Sequence, residues 1–349
     1  MVLTLYMGSY TEYPVPGFGG TGKGIYTVQF DTMTGELKVL HSTMVRNPSY
    51  LALDSSSQHL YCVTELDQKD GPMVKTFKIK RDFSLELMDE QPIRGGFPCH
   101  IVTHEDHLLV TCYATGNLIH LLTDGDSGVR KVVNNFFHHG KSINLERQEG
   151  PHAHQTAVHP NRKAIYVCDL GIDTIKAYRF KEGTVQPDTA NDCVVSLGGG
   201  PRHMVFNKQG TYAYVLNELT ADVDVLQYLD GKLKQVGSYS SLPVHFEGMP
   251  SASAIRIHPN GKYLYVANRG LEAITVFEIF GSELKRVHMQ YTEGQELREF
   301  NLTPDGQWLI ACHQNSHDTI VYQILDTGEL VECYRTRDIK SPSCIVFPN

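Results

Sequence analysis

The stretch Pro250-Ser-Ala-Ser-Ala-Ile-Arg-Ile257, His258-Pro-Asn-Gly261, Tyr263-Leu-Tyr-Val-Ala267, Asn268-Arg269, Ile274-Thr-Val-Phe-Glu-Ile279 and Glu283-Leu-Lys-Arg-Val287 decides the fold. It reads as an alternating run, a turn, a second apolar run closed by a polar pair, and two further short runs. Pro presets φ at the second turn position, and Asn-Gly tolerates the dihedrals that follow. Runs rich in β-branched and aromatic residues favour strands. The stretch therefore predicts four short antiparallel strands.

The same unit recurs along the chain. Its starts fall at Pro48, Pro98, Pro151, Pro201, Pro250 and Leu297, with a last partial unit at Pro342. Its turns recur as His159-Pro160-Asn161 and Thr303-Pro304-Asp305-Gly306. Four strands repeated about every fifty residues are the signature of a β-propeller. Six complete units run from residue 48 to 341. Residues 1–47 supply three strands with no opening strand, and residues 342–349 supply an opening strand with nothing after it. Joining the two closes the ring and removes its exposed edges. The expected fold is all-β: a seven-bladed propeller with four antiparallel strands per blade, forming one domain over 1–349. No stretch shows helical periodicity over twelve residues.

Composition narrows the function. The 349 residues carry 31 basic and 39 acidic groups, a formal net charge of −8. An acidic chain is a poor partner for duplex nucleic acid or an anionic membrane, which attract basic surfaces. No apolar run reaches the ~18–20 residues of a spanning helix. Met1 to Gly22 contains no Lys or Arg, so the basic start of a signal peptide is missing. The eight cysteines include no CxxC pair, which reads as reduced core thiols in a cytoplasmic protein. Separately, a monomer or a small homo-oligomer is expected.

In a blade, the start of the first strand and the end of the second lie on one face of the disc, and the turn between them lies on the other. His159 and His258 fall in such turns and read as structural. The opposite face collects His100, His152, His154, Arg202, His203 and Arg298 from first strands. Second-strand ends add Glu65, Asp169, Asn217, Glu218, Asn268, Arg269, His313 and Gln314. Charged residues at a constant structural position around one channel mouth point to a site for a polar ligand, although a solvated rim would also be polar.

The chain resembles the seven-bladed propeller lactonase family of the cyclic 6-phosphogluconolactonase type, which also includes carboxymuconate cycloisomerases. The resemblance rests on Glu149-Gly-Pro-His-Ala-His154, Gly199-Gly-Pro-Arg-His203, Leu216-Asn-Glu-Leu219, Val266-Ala-Asn-Arg-Gly270, and Gly8-Ser-Tyr-Thr11 followed by Gly24-Ile-Tyr26. It implies hydrolysis of a small anionic lactone, 6-phosphogluconolactone to 6-phosphogluconate, in carbohydrate metabolism and without a cofactor. Carried over motif by motif, it implies His154, Arg202, Glu218 and Arg269 as catalytic residues, with His152 open as the alternative histidine. Substrate binding is expected from His152, His203, Glu65, Asn268 and His313. An imidazole titrating near pH 7 would deprotonate the attacking water and then protonate the leaving alkoxide. A cycloisomerase, a lactonase for another lactone and a non-catalytic scaffold are the alternatives. A scaffold would expose apolar residues at the mouth.

Three further motifs carry less. Gly17 to Gly24 matches the letters of a phosphate loop but lacks the following Ser or Thr, and reads as a loop of the first blade. His138-His139 reads as part of a surface loop between the third and fourth units, or a lid. Glu65, Asn217, Asn268 and Asp169 could imitate a metal set, but two arginines at the same mouth would repel a cation, so no metal is expected.

Overall fold

A computed structural model of the chain describes residues 2–124 and 128–348. Its strands form seven sheets, each a four-stranded antiparallel meander. One sheet gains a fifth short strand, Cys193–Val194, on Thr174–Lys181. The blades span residues 51–92, 98–137, 153–194, 201–240, 252–291 and 297–336. The remaining blade is composite: Pro342–Val346 pairs with Val2–Ser9, followed by Ile25–Asp31 and Leu37–Thr43. Tyr6 stands opposite Val346 and Met7 opposite Ile345. The ring is closed as the complementary ends predict.

Burial explains why the ring holds. Among the described residues, the buried apolar side chains sort into seven clusters, one between each pair of neighbouring blades. The closing pair is packed like the others, with Phe30 edge-on to Trp308 at 5.6 Å. Hydroxyls tie blades at the rim. Tyr6, Tyr214 and Tyr265 donate to the Phe83, Gly281 and Gly328 carbonyls of the next blade at 3.1, 2.9 and 3.0 Å. His159 and His258 make the same kind of tie, through Nε2 to the Gly210 and Gly306 carbonyls. The turn histidines are thus structural.

His138 corrects an expectation. It is buried, with Nδ1 on Asp169 and Nε2 2.7 Å from the Tyr178 hydroxyl. Rather than lying in a surface loop, it pins the 138–150 segment onto the fourth blade, and only His139 is exposed.

Candidate active site

Two backbone devices, the first in every blade and the second in all but the 51–92 blade, aim side chains at the channel. The first is a hydrogen bond from a residue one or two places beyond the second strand to a carbonyl shortly before the first. It is made by Tyr10 to Ser341, Glu65 to Asn47, Tyr113 to Phe97, Leu170 to His152, Glu218 to Gly200, Arg269 to Ser251 and Gln314 to Glu296. The second is a bulge at the second residue of the first strand. The register skips Cys99, His154, Arg202 and Arg298 at equivalent places, and Ser253 falls in the corresponding gap of its blade. A bulge leaves its residue unpaired and re-aims its side chain. Together the devices bring residues far apart in sequence to one mouth.

They line a cavity of about 460 Å³. Glu65, Tyr113, Glu218 and Arg269 come from the first device, and Cys99, His154 and Arg298 from the second. Val15 and Phe18 reach in from the loop between Val2–Ser9 and Ile25–Asp31, which includes the Gly17–Gly24 stretch and borders the mouth. Phe18 packs edge-on to Tyr10 at 5.1 Å. Arg147, Glu149 and His152 complete the wall from the 138–152 segment.

Glu218 is the electrostatic centre. Its Oε1 accepts from Arg147 Nη2 at 2.6 Å, and its Oε2 lies 3.1 Å from both Arg202 Nε and Arg269 Nη2. Burial alone would raise its carboxyl, but Arg269, Arg202 and Arg147 outweigh that and hold it well below the usual carboxylate range. Arg202 lies behind the cavity wall, donating to the Ser253 carbonyl and, at 3.1 Å, towards His203 Nε2. Burial, with Arg269 and Arg298 nearby, pushes it down to about 10, so it remains charged at neutral pH.

His154 opens on this cavity, yet its ring has no hydrogen-bond partner among the described residues, and its Nδ1 is buried. Burial, then Arg202, hold its pKa well below the ordinary histidine value against the pull of Glu218. The imidazole is therefore neutral across the physiological range, not titrating near pH 7 as the residue type alone suggests. His152 is oriented differently. It stacks on Tyr113 at 4.4 Å, with Nδ1 on the Tyr113 carbonyl and Nε2 on Glu149.

The structure thus brings together His154, Glu218, Arg269, His152 and Glu65, with Arg202 directly behind them. His203 lies deeper in the channel, its ring 5.2 Å from His154 and 6.1 Å from His100. Asn268 and His313 do not reach the cavity. Each is the last residue of its second strand, paired with the first residue of the opening strand. Asn268 bonds Ser241 and Thr275, and His313 bonds Thr292. Successive strand residues face opposite ways, so the residue after each takes the channel side. Asn217 and Asp169 are turned away likewise, Asn217 onto Asp224 and Asp169 onto the His152 and Gly171 amides. Sequence reasoning missed Tyr113, which follows the second strand as Glu218 and Arg269 do. It also missed Arg147, whose only signal is its closeness to the Glu149–His154 motif.

A family model described as "Lactonase, 7-bladed beta-propeller" matches residues 4–347. The 6-phosphogluconolactonase of Bacillus subtilis (strain 168) is 30% identical over 354 residues, covering 98% of this chain and 97% of its own length. A crystal structure from Bacteroides fragilis superposes with a TM-score of 0.92 at 28% identity, covering 100% of this chain and 98% of that one. The Pseudomonas aeruginosa periplasmic gluconolactonase shares the fold, with a TM-score of 0.92 at 24% identity over 100% of this chain and 99% of that one.

Proposed function

The chain belongs to the family of seven-bladed β-propeller lactonases, and from that premise we propose that it hydrolyses 6-phosphogluconolactone to 6-phosphogluconate at the cavity around His154. The observation that carries the reading is His154 itself. It is a buried, neutral imidazole without a hydrogen bond among the described residues, facing a cavity beside a carboxylate held by three guanidiniums.

A lactone is a cyclic ester. His154 takes a proton from water as the water oxygen attacks the carbonyl carbon, leaving a tetrahedral oxyanion. Arg269, which lines the cavity, stabilises that charge. Collapse breaks the ring C–O bond, and the imidazolium returns its proton to the departing alkoxide, so that one water is consumed and a hydroxy acid released. The cations that keep His154 neutral make its imidazolium a strong acid, which favours this return. Arg202 contacts no cavity and acts as a positioning residue, fixing Glu218. All eight cysteines are free, which supports the cytosol as the site of action.

Acid release in a pH-stat over a panel of lactones tests the reading. 6-Phosphogluconolactone is expected to turn over fastest, and a protein that releases no acid from any of them is not a lactonase. The match of His154, Arg202, Glu218 and Arg269 to the cycloisomerase branch favours a second reading. Ultraviolet absorbance of a carboxylated muconolactone incubated with the protein checks it, since ring opening without water creates a conjugated diene.

A further inference from the structure

We propose that Arg147 is the specificity-determining residue that receives the anionic substituent of the substrate, an inference that rests on the lactonase reading and names the group that distinguishes phosphorylated from neutral lactones.

Three guanidiniums line the cavity and a fourth stands behind its wall, and all but one are largely buried. Arg202 is 3% exposed and engaged by Glu218, His203 and the Ser253 carbonyl. Arg269 is 10% exposed, between Glu218, Glu296 and the Ala252 carbonyl. Arg298 donates to the Tyr10 hydroxyl at 2.7 Å and lies over the rings of Tyr10 and Phe18. Arg147 differs. Its side chain is 43% exposed against 11% for Arg298, which is likewise engaged only through Nη2. On Arg147 that nitrogen meets Glu218 at 2.6 Å and the Tyr113 hydroxyl at 3.2 Å. Its Nε and Nη1 have no acceptor among the described residues. A half-open guanidinium fork matches the spacing of two oxygens on a phosphate or carboxylate.

Charge balance permits the exchange. Glu218 retains Arg202 and Arg269 if Arg147 turns to an incoming anion. Glu146, which adjoins Arg147, is exposed and forms no ion pair with it among the described residues, and Glu149 lies 3.2 Å from His152. The backbone that carries Arg147 is fixed beforehand. Gln148 donates to Asp173 and the Leu170 carbonyl, and Ser142 donates to the same Asp173. The fork is thus presented at the rim on a pinned loop, while the chemistry sits deeper at His154.

The test compares kcat/KM for 6-phosphogluconolactone and glucono-δ-lactone in the wild type, Arg147→Gln and Arg147→Lys. Losing a charge-assisted pair costs roughly ten- to hundredfold, so the selectivity ratio should fall by that factor in Arg147→Gln, through KM of the phosphorylated substrate. Arg147→Lys should keep part of the preference. If both substrates lose activity equally, or neither does, the ratio is unmoved; Arg147 then only braces Glu218 and the inference is overturned. Calorimetry with 6-phosphogluconate and gluconate supplies an arm that needs no turnover. The wild type should prefer the phosphorylated ligand and Arg147→Gln should not, and an equal preference in both proteins also overturns it. Absent turnover with a phosphate preference lost in Arg147→Gln would reject the hydrolase reading and retain the anion site.

Discussion

A neutral imidazole buried without a partner is costly, and proteins keep such groups chiefly where they act. His154→Ala is accordingly expected to lower kcat/KM by roughly two to four powers of ten. Its circular dichroism and melting temperature should remain those of the wild type, and a folded variant with full activity would remove His154 from the mechanism. The direction of the His154 shift adds a second expectation. A base held neutral by burial and by Arg202 has no proton to lose near pH 6.5. The kcat/KM profile should then be level from pH 8 to 6, and a limb centred on the ordinary histidine value would assign the proton transfer to another group. The sequence showed which residue types meet here, because the motifs around His154, Arg202, Glu218 and Arg269 lie at matching places in successive units. It did not show that Arg202 stands behind the wall, since that depends on the Ser253 carbonyl and His203, neighbours brought in by the fold.

At the level of strands, the repeated bulge and the hydrogen bond that follows the second strand bring side chains from successive blades to one cavity. Reading the strand ends one residue early placed Asn268 and His313 at the mouth, and period-two alternation sends them into the blade instead. The short turn after the second strand of the fourth blade shows how tightly the ends are fitted. A methyl group on Gly171 would come within 1.8 Å of the Gly150 carbonyl oxygen and 2.8 Å of the His152 amide. Neither backbone atom can yield cheaply. Gly171→Ala is expected to destabilise the protein by about 1–3 kcal/mol, as overpacked sites do. It should also reduce lactone turnover, because the displaced segment carries Arg147 and His152. Thermal unfolding and steady-state kinetics on one preparation check both, and a variant unchanged in both would show that this turn has slack. The loop itself was illegible in advance. Its anchors, His138 to Asp169 and Gln148 to Asp173, join segments with no common register.

Taken as a whole, the molecule buries uncharged imidazoles both in its channel and within its blades. Burial pushes His100 down to about 3 and His120 and His313 to about 4, and holds His203 well below its ordinary value. Unfolded, each would titrate near about 6.5. Their neutral burial is therefore accommodated fully above that pH, and stability drains away as pH falls from there towards the folded values, because the unfolded chain binds protons that the folded one refuses. Each imidazole adds a slope of about 1.4 kcal/mol per pH unit. Urea unfolding between pH 6.5 and 5 should give a slope of several protons, and less than one would mean that the channel protonates while folded. The closed ring has its own bearing on how the protein is made. Because Pro342–Val346 completes the sheet begun by Val2–Ser9, that blade waits with a bare margin until residues 342–346 have left the ribosome. A product stopped before these residues would be the sticky form, offering that margin to any other strand nearby.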